Sequence, residues 1–275
     1  MDGHRQRQRA RGPITRSFAQ RRSLLRVGHR PWPHPHGQWL VGQSWEDLLF
    51  AHWPVDAAVL RPLVPAPLEL DAFGETTWVG VVPFTMRGVR LSWCPPVPGT
   101  SDFVEVNLRT YVTHGGRPGV FFLTLEAHNP VALVLGRRAY GLPYRRANVS
   151  LRRSGGGVSF GSERNRSQGR AAVFAADYSP RGHPHAPATG TRDHWFTERY
   201  CFYTVGSDRV VRRTEVHHEP WSLQPAEAEI GSDTLGEPYG IDLSATPLLH
   251  FSRSQDVVAW RPRAVGTLSA DASQC

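Results

Sequence analysis

Residues 103–113 read Phe103-Val104-Glu105-Val106-Asn107-Leu108-Arg109-Thr110-Tyr111-Val112-Thr113. Val104, Val106, Leu108, Thr110 and Val112 alternate with Phe103, Glu105, Asn107, Arg109 and Tyr111. A period of two sustained over this length marks a β-strand, whose successive side chains project to opposite faces. His114-Gly115-Gly116-Arg117-Pro118-Gly119 then supplies a loop, and Val120 to Ala127 returns as the second strand of a hairpin. One face of the first strand therefore carries Glu105, Asn107, Arg109 and Tyr111, flanked by Phe103. In a sheet wetted on one side this set is the solvent face. Inside a barrel it lines a polar cavity over roughly 20 Å, at about 3.4 Å per residue.

Outward from this hairpin, turn residues are dense, with 26 Gly and 23 Pro, and the apolar runs between them are short and rich in Val, Phe, Tyr and Trp. Further strands are expected at Thr76 to Val82, Ala147 to Leu151, Val158 to Gly161, Ala171 to Tyr178, Tyr200 to Val205, Arg209 to His217, Leu248 to Ser252 and Val257 to Arg261. Gly155-Gly156-Gly157 and Gly206-Ser207-Asp208 read as hairpin turns. Helices are few: Asp56 to Leu63 behind an N-cap Asp, Pro130 to Tyr140 behind Asn129 and closed by Gly141 and Pro143, and Thr191 to Arg199. The expected fold is mainly β (α+β), one antiparallel barrel or sandwich over residues 31–262 with a few short packed helices.

The 275 residues hold 32 cationic side chains, and every one is arginine. Without lysine the chain forms no pyridoxal phosphate or carbonyl Schiff base, and carries neither a Walker phosphate loop nor the strand lysine of a protein kinase. Nine of the arginines and one of the 24 acids lie in residues 1–30, leaving 23 of each sign over 31–275. The net charge of +8 thus belongs to an N-terminal extension, expected to be disordered, and the neutral body has no nucleic-acid footprint. The extension itself reads as an arm for nucleic acid or anionic lipid. Residues 263–275 read as a polar tail. Cys94, Cys201 and Cys275 fit neither a disulfide framework nor a zinc site, which suits a reducing, cytoplasmic setting. No apolar run approaches the 18 or so residues of a membrane span. Arg21-Arg22 lacks the apolar region that an export signal needs behind it.

A second stretch bears on chemistry: Gly136-Arg137-Arg138-Ala139-Tyr140-Gly141-Leu142-Pro143-Tyr144-Arg145-Arg146. A helix ending at Gly141 and an extended exit forced by Pro143 deliver Tyr144 and Arg145 to the start of a new strand. The alternative is an exposed basic turn. Glu215 and His217 share a strand face, as a surface pair or a metal or acid/base pair; His217 and His218 point to opposite faces. His52, between Ala51 and Trp53, reads as a hydrogen-bonded, half-buried histidine. No metal site is assigned, and there is no G-x-S-x-G elbow and no H-E-x-x-H.

Several separated segments together carry a family resemblance. Leu48-Leu49-Phe50-Ala51-His52-Trp53-Pro54-Val55, Leu60-Arg61-Pro62-Leu63-Val64-Pro65, Trp78 to Phe84, Glu105 to Val112, Gly141-Leu142-Pro143-Tyr144, Thr197-Glu198-Arg199-Tyr200 and His217-His218-Glu219-Pro220-Trp221 resemble, in this order, the uncharacterised YqjF-like family (domain of unknown function 2071). The resemblance covers about residues 30–262. That family is similar to the acetoacetate decarboxylases, which implies a large antiparallel β-barrel around an internal cavity. In those enzymes the segment similar to Gly136 to Arg145 carries two lysines, one of them the Schiff-base nucleophile. Here Tyr144 and Arg145 stand at those positions, while Glu105 matches a cavity carboxylate. Arginine, with a pKa above 12, has no neutral nitrogen for imine formation.

The resemblance and the residues together imply a lysine-independent, cofactor-free enzyme of lyase or isomerase type, acting on a small oxo acid or carbonyl compound. Glu105, Tyr144 and Arg145 are its expected catalytic groups, and Arg109, His52, Asn107 and Tyr111 its ligand-binding groups. A desolvated Glu105 is expected to titrate high and a Tyr144 beside Arg145 low. The alternative is a non-catalytic barrel that binds a small acid. A homo-oligomer is compatible with either.

Overall fold

The computed structural model describes residues 13–268. Within them the chain forms fifteen strands. The first six are β1 (Val41–Val55), β2 (Glu69–Leu70), β3 (Ala72–Phe73), β4 (Thr76–Leu91), β5 (Phe103–His114) and β6 (Arg117–Ala127). After helix α3 come β7 (Tyr144–Arg146), β8 (Asn148–Ser154), β9 (Gly157–Arg164) and β10 (Ala172–Pro180). The last five are β11 (Cys201–Val205), β12 (Val210–His218), β13 (Gln224–Asp233), β14 (Leu248–Ala259) and β15 (Arg263–Thr267). The helices are α1 (Pro13–Ser23), α2 (Ala57–Leu60), α3 (Pro130–Tyr140) and α4 (Arg192–Thr197). None of the described helices is long and apolar enough to cross a membrane.

The central hairpin is tighter than its sequence suggests. Gly115 and Gly116 take φ of 57° and 71°, the positive values a two-residue turn of primed type requires, so Arg117 and Pro118 already pair with His114 and Thr113. The main sheet runs β12, β11, β6, β5, β4, β1, β14 in hydrogen-bonded order. Pairing of Val216 with Ala259 and of His218 with Val257 then joins β12 to β14. Seven strands thus close a ring of pairings, antiparallel except where β11 runs parallel to β6. The other edge of β14 meets β13, which leads into a second antiparallel sheet of β13, β10, β9 and β8.

Both faces of the ring strands are covered. Leu49, Ala51, Val79, Val81, Val106 and Leu108 face outward against Val158, Phe160, Phe174 and Tyr178 of the second sheet. Leu48, Phe50, Val82, Phe84, Phe103 and Leu125 face inward, together with Tyr144 and Trp221. Burying side chains of this size stabilises by roughly 1.5–3 kcal/mol each, so neither face of β5 is left to water. Glu105, Asn107 and Tyr111 are buried on the inner side.

Three sequence expectations change here. Residues 13–30 are not a free extension: α1 packs on the ring, Gln20 and Ser23 are buried, and the Arg30 guanidinium sits 3.3 Å from Glu215. Arg30 also donates to the Val216 carbonyl at 2.6 Å and lies over the Tyr200 ring. A charge count over the chain could not see that acid partner; residues 1–12 lie outside the described part. The expected tail begins with a strand, since β15 pairs with β12, and residues 269–275 lie outside. Finally, Glu215 and His217 are buried rather than a surface pair, each held by this N-terminal segment: Trp32 donates to Glu215 at 2.8 Å, and His217 bonds the Ser23 carbonyl at 2.9 Å.

Candidate active site inside the strand ring

Glu105 lies near the start of β5, paired with Phe84 of β4 on one side and with Ala127, the last residue of β6, on the other. Tyr144 is brought to it by α3. Asn129 caps that helix by accepting from the Val131 and Ala132 amides at 3.0 and 3.1 Å. Gly141 ends it with φ of 68°, and Tyr144 then pairs in parallel with Leu125. The Tyr144 hydroxyl donates to Oε2 of Glu105 at 2.6 Å, with both side chains buried.

Burial pushes the Glu105 carboxyl up to about 7, against hydrogen bonds from Tyr144 and Asn107 that pull it down. The Tyr144 phenol is pushed well up, by its own burial and by the neighbouring Glu105 charge. A tyrosine lowered by an arginine was expected, and the reverse is found, because β7 alternates. Tyr144 points into the ring, whereas Arg145 is exposed on the other side and its charge acts on Glu126. Arg145 is not brought to Glu105.

The other candidates continue the same inward face. Arg109 pairs across the strands with Gly80 and Phe122, and its guanidinium lies 5.4 Å from the Phe50 ring. Tyr111 and His52 share a hydrogen bond of 2.6 Å between the hydroxyl and Nε2. His52 is fully buried rather than half-buried. Burial, then the Arg109 charge, lowers its pKa well below the ordinary value, so the imidazole is neutral. Phe196 stacks on it at 3.7 Å. The face therefore presents a carboxyl that titrates near neutral pH, a phenol that stays protonated, and a guanidinium, which only donates. Arg109, Phe122 and Phe202 keep partial accessibility although they face inward, whereas Val106 and Leu108 on the opposite face keep none.

Sequence reasoning passed over the residues that aim Tyr144. A Cβ on Gly136 would lie 2.3 Å from Cε2 and 2.6 Å from Cδ2 of the Tyr144 ring. Arg137 donates to the Tyr144 carbonyl from Nε at 3.0 Å and from Nη2 at 2.6 Å. The one available signal was a glycine inside a helix, which costs about 0.5–1 kcal/mol relative to alanine and so marks a close approach. Gly136→Ala is expected to push the ring away and break its bond to Glu105. With that downward pull lost, the Glu105 carboxyl should titrate above 7. Carboxyl ¹³C NMR, with Glu105→Gln to assign the signal, checks this; an unmoved midpoint would show that the helix does not set the pair.

The closed ring with its flanking second sheet, and a carboxyl on the inner wall, define an acetoacetate decarboxylase-like fold. The acetoacetate decarboxylase of Legionella pneumophila superposes with a TM-score of 0.60 at 12% identity, over 88% of this chain and 94% of that one. The enduracididine biosynthesis enzyme MppR, complexed with pyruvate, gives 0.60 at 15% identity over 88% and 99%. An acetoacetate decarboxylase-like enzyme of Sphingomonas wittichii RW1 gives 0.58 at 16% identity over 87% and 98%. Within this fold the chain belongs to the DUF2071 family, described as an uncharacterized conserved protein, whose model matches residues 42–256. It is 40% identical to the uncharacterized protein YqjF of Bacillus subtilis (strain 168), over 227 residues that make up 82% of this chain and 93% of the relative.

Proposed function

We propose that the ring is a barrel whose interior performs acid–base chemistry on a small oxo acid or related carbonyl compound, with no lysine and no cofactor. Glu105 is the proton carrier, since a carboxyl that titrates at about 7 gives and takes a proton at working pH. Tyr144 holds the ionised carboxylate in place with its single hydroxyl hydrogen; once Glu105 has taken up a proton and donates to the phenol oxygen instead, that hydrogen turns to an oxygen that gains charge. Arg109 takes the substrate carboxylate. The observation that carries the reading is the buried 2.6 Å bond from Tyr144 to Glu105, on the same inner face as Arg109. MppR is complexed with pyruvate, a 2-oxo acid, which supports that substrate class. Imine chemistry is outside this reading, because arginine offers no neutral amine.

The test is exchange of the protons next to the carbonyl of 2-oxo acids in deuterium oxide, followed by NMR. The protein is expected to accelerate exchange, and Tyr144→Phe to slow it at least tenfold. A second reading, a barrel that binds such acids without turning them over, is favoured by the unpartnered Oδ1 of Asn107 and Nε of Arg109. Thermal stabilisation by 2-oxo acids with no exchange would select it; neither stabilisation nor exchange would sink both.

A further inference from the structure

Five buried polar atoms on the inner side of the ring lack a hydrogen-bond partner among the described residues: Nε of Arg109, Nδ1 of His52 and Nε1 of Trp221 on side chains beside Phe50, with Nε1 of Trp45 and Oδ1 of Asn107 on their neighbours. They form one neighbourhood. The Phe50 ring lies 5.4 Å from the Arg109 guanidinium, 6.2 Å from the His52 ring and 4.9 Å from the Trp221 ring. Trp45 stacks on Trp221 at 5.9 Å. Asn107 lies two residues before Arg109 on β5, on the same face.

Their chemistry is lopsided. The two indole N–H groups and the guanidinium N–H only donate. In the bond shared by the Tyr111 hydroxyl and Nε2 of His52 either partner can donate, so Nδ1 of His52 is a donor in one tautomer and an acceptor in the other. Three orphaned groups that can only donate stand against one that can only accept. A buried donor left unpaired is destabilising, and three of them in one neighbourhood weigh heavily against the marginal stability of a folded chain. A ligand rich in acceptors relieves that cost; an alkyl acid relieves only the part at Arg109.

Resting on the oxo-acid reading of this site, we infer that its ligand carries a second, uncharged oxygen acceptor, a ketone, ester or amide carbonyl, at the end remote from the carboxylate. The carboxylate meets Arg109, the chain between packs on Phe50, and the distal carbonyl accepts from Trp45 and Trp221. The distal group is uncharged because the indoles bring no counter-charge, and burying an unpaired carboxylate there is strongly unfavourable.

Three 2-oxo acids test this by calorimetric titration of the full chain: 5-methoxy-2,5-dioxopentanoate, 2-oxoheptanoate, which matches its chain length without the ester oxygens, and 2-oxoglutarate. The ester is expected to bind at least tenfold tighter than the other two. Trp221→Phe should cut its advantage over 2-oxoheptanoate to less than threefold while leaving the Kd of 2-oxoheptanoate within twofold. Trp45→Phe, at a less buried position, gives the same reading if Trp221→Phe does not fold. Equal or tighter binding of 2-oxoheptanoate, abolished by Arg109→Met, overturns the second acceptor and leaves the pocket standing. Failure of all three acids to bind, or binding indifferent to Arg109→Met, overturns the pocket as well.

Discussion

Glu105→Gln is expected to lose at least a hundredfold of the proton-exchange rate and yet to gain about 3 kcal/mol of stability at pH 8. The first effect follows from removing the proton carrier, since a positioned acid or base contributes about 10²- to 10⁴-fold. The second follows from linkage. The folded carboxyl titrates at about 7 against an ordinary 4.5, so the folded state holds the proton more tightly than the unfolded chain. The resulting stabilisation is fully present below pH 4.5, declines as the pH rises through that window and is gone above about 7. The amide that replaces the carboxyl cannot ionise, so the variant gains on the native chain as the pH climbs, by about 1.4 kcal/mol per unit of separation. Urea denaturation at pH 4 and pH 8 measures both ends. A variant less stable than the native chain at both pH values would make Glu105 a structural residue and remove the site.

Arg164→Met is expected to be the most damaging single change among the described buried ion pairs, at about 3–5 kcal/mol. Arg164 of β9 and Glu126 of β6 are both buried and lie 3.2 Å apart, where the second sheet covers the ring. Ser162 donates to the same carboxylate at 3.0 Å, and Arg164 to the Thr124 hydroxyl at 3.3 Å. Burial already holds the Glu126 carboxyl up, with Arg164 the main opposing influence. Without the guanidinium it rises further and is protonated at a higher pH, so the deficit should shrink on acidification. Pairing the change with Glu126→Met, which removes the stranded charge, should recover most of the loss. A deficit under about 1 kcal/mol at neutral pH would mean that the sheets dock without this pair.

The inner face of β5 was legible in the sequence, because a period of two survives burial on both sides: Glu105, Asn107, Arg109 and Tyr111 were identified together from residues 103–113. The capped helix α3 was also legible, from Asn129, Pro130 and Gly141. Strand β1 was not, although it carries Phe50 and His52. Both its faces are apolar where Leu48 to Trp53 pass between two cores, so alternation vanishes. Strand β13, Gln224-Pro225-Ala226-Glu227-Ala228-Glu229-Ile230-Gly231-Ser232-Asp233, is poor in β-branched and aromatic residues, with Ile230 alone of that kind, and is held as a strand by its pairing with β10. The segment from Leu248 to Ala259 was divided at its polar middle, which the full-length pairing with β1 carries through.

By itself the sequence determined which side chains share a face of β5, where the capped helix α3 starts and stops, and that no amine is available for an imine. Those properties depend on neighbours a few residues apart, or on composition alone. Only the tertiary structure decided that the polar face of β5 looks into a ring instead of into solvent, and that Tyr144 rather than Arg145 meets Glu105. It also decided that residues 13–30 dock on the ring. Each of these depends on partners tens to hundreds of residues distant, and on the local dielectric they create, which no local pattern encodes. The loss of water around Glu105 is what moves its carboxyl to about 7, and that loss is a property of the closed ring of strands.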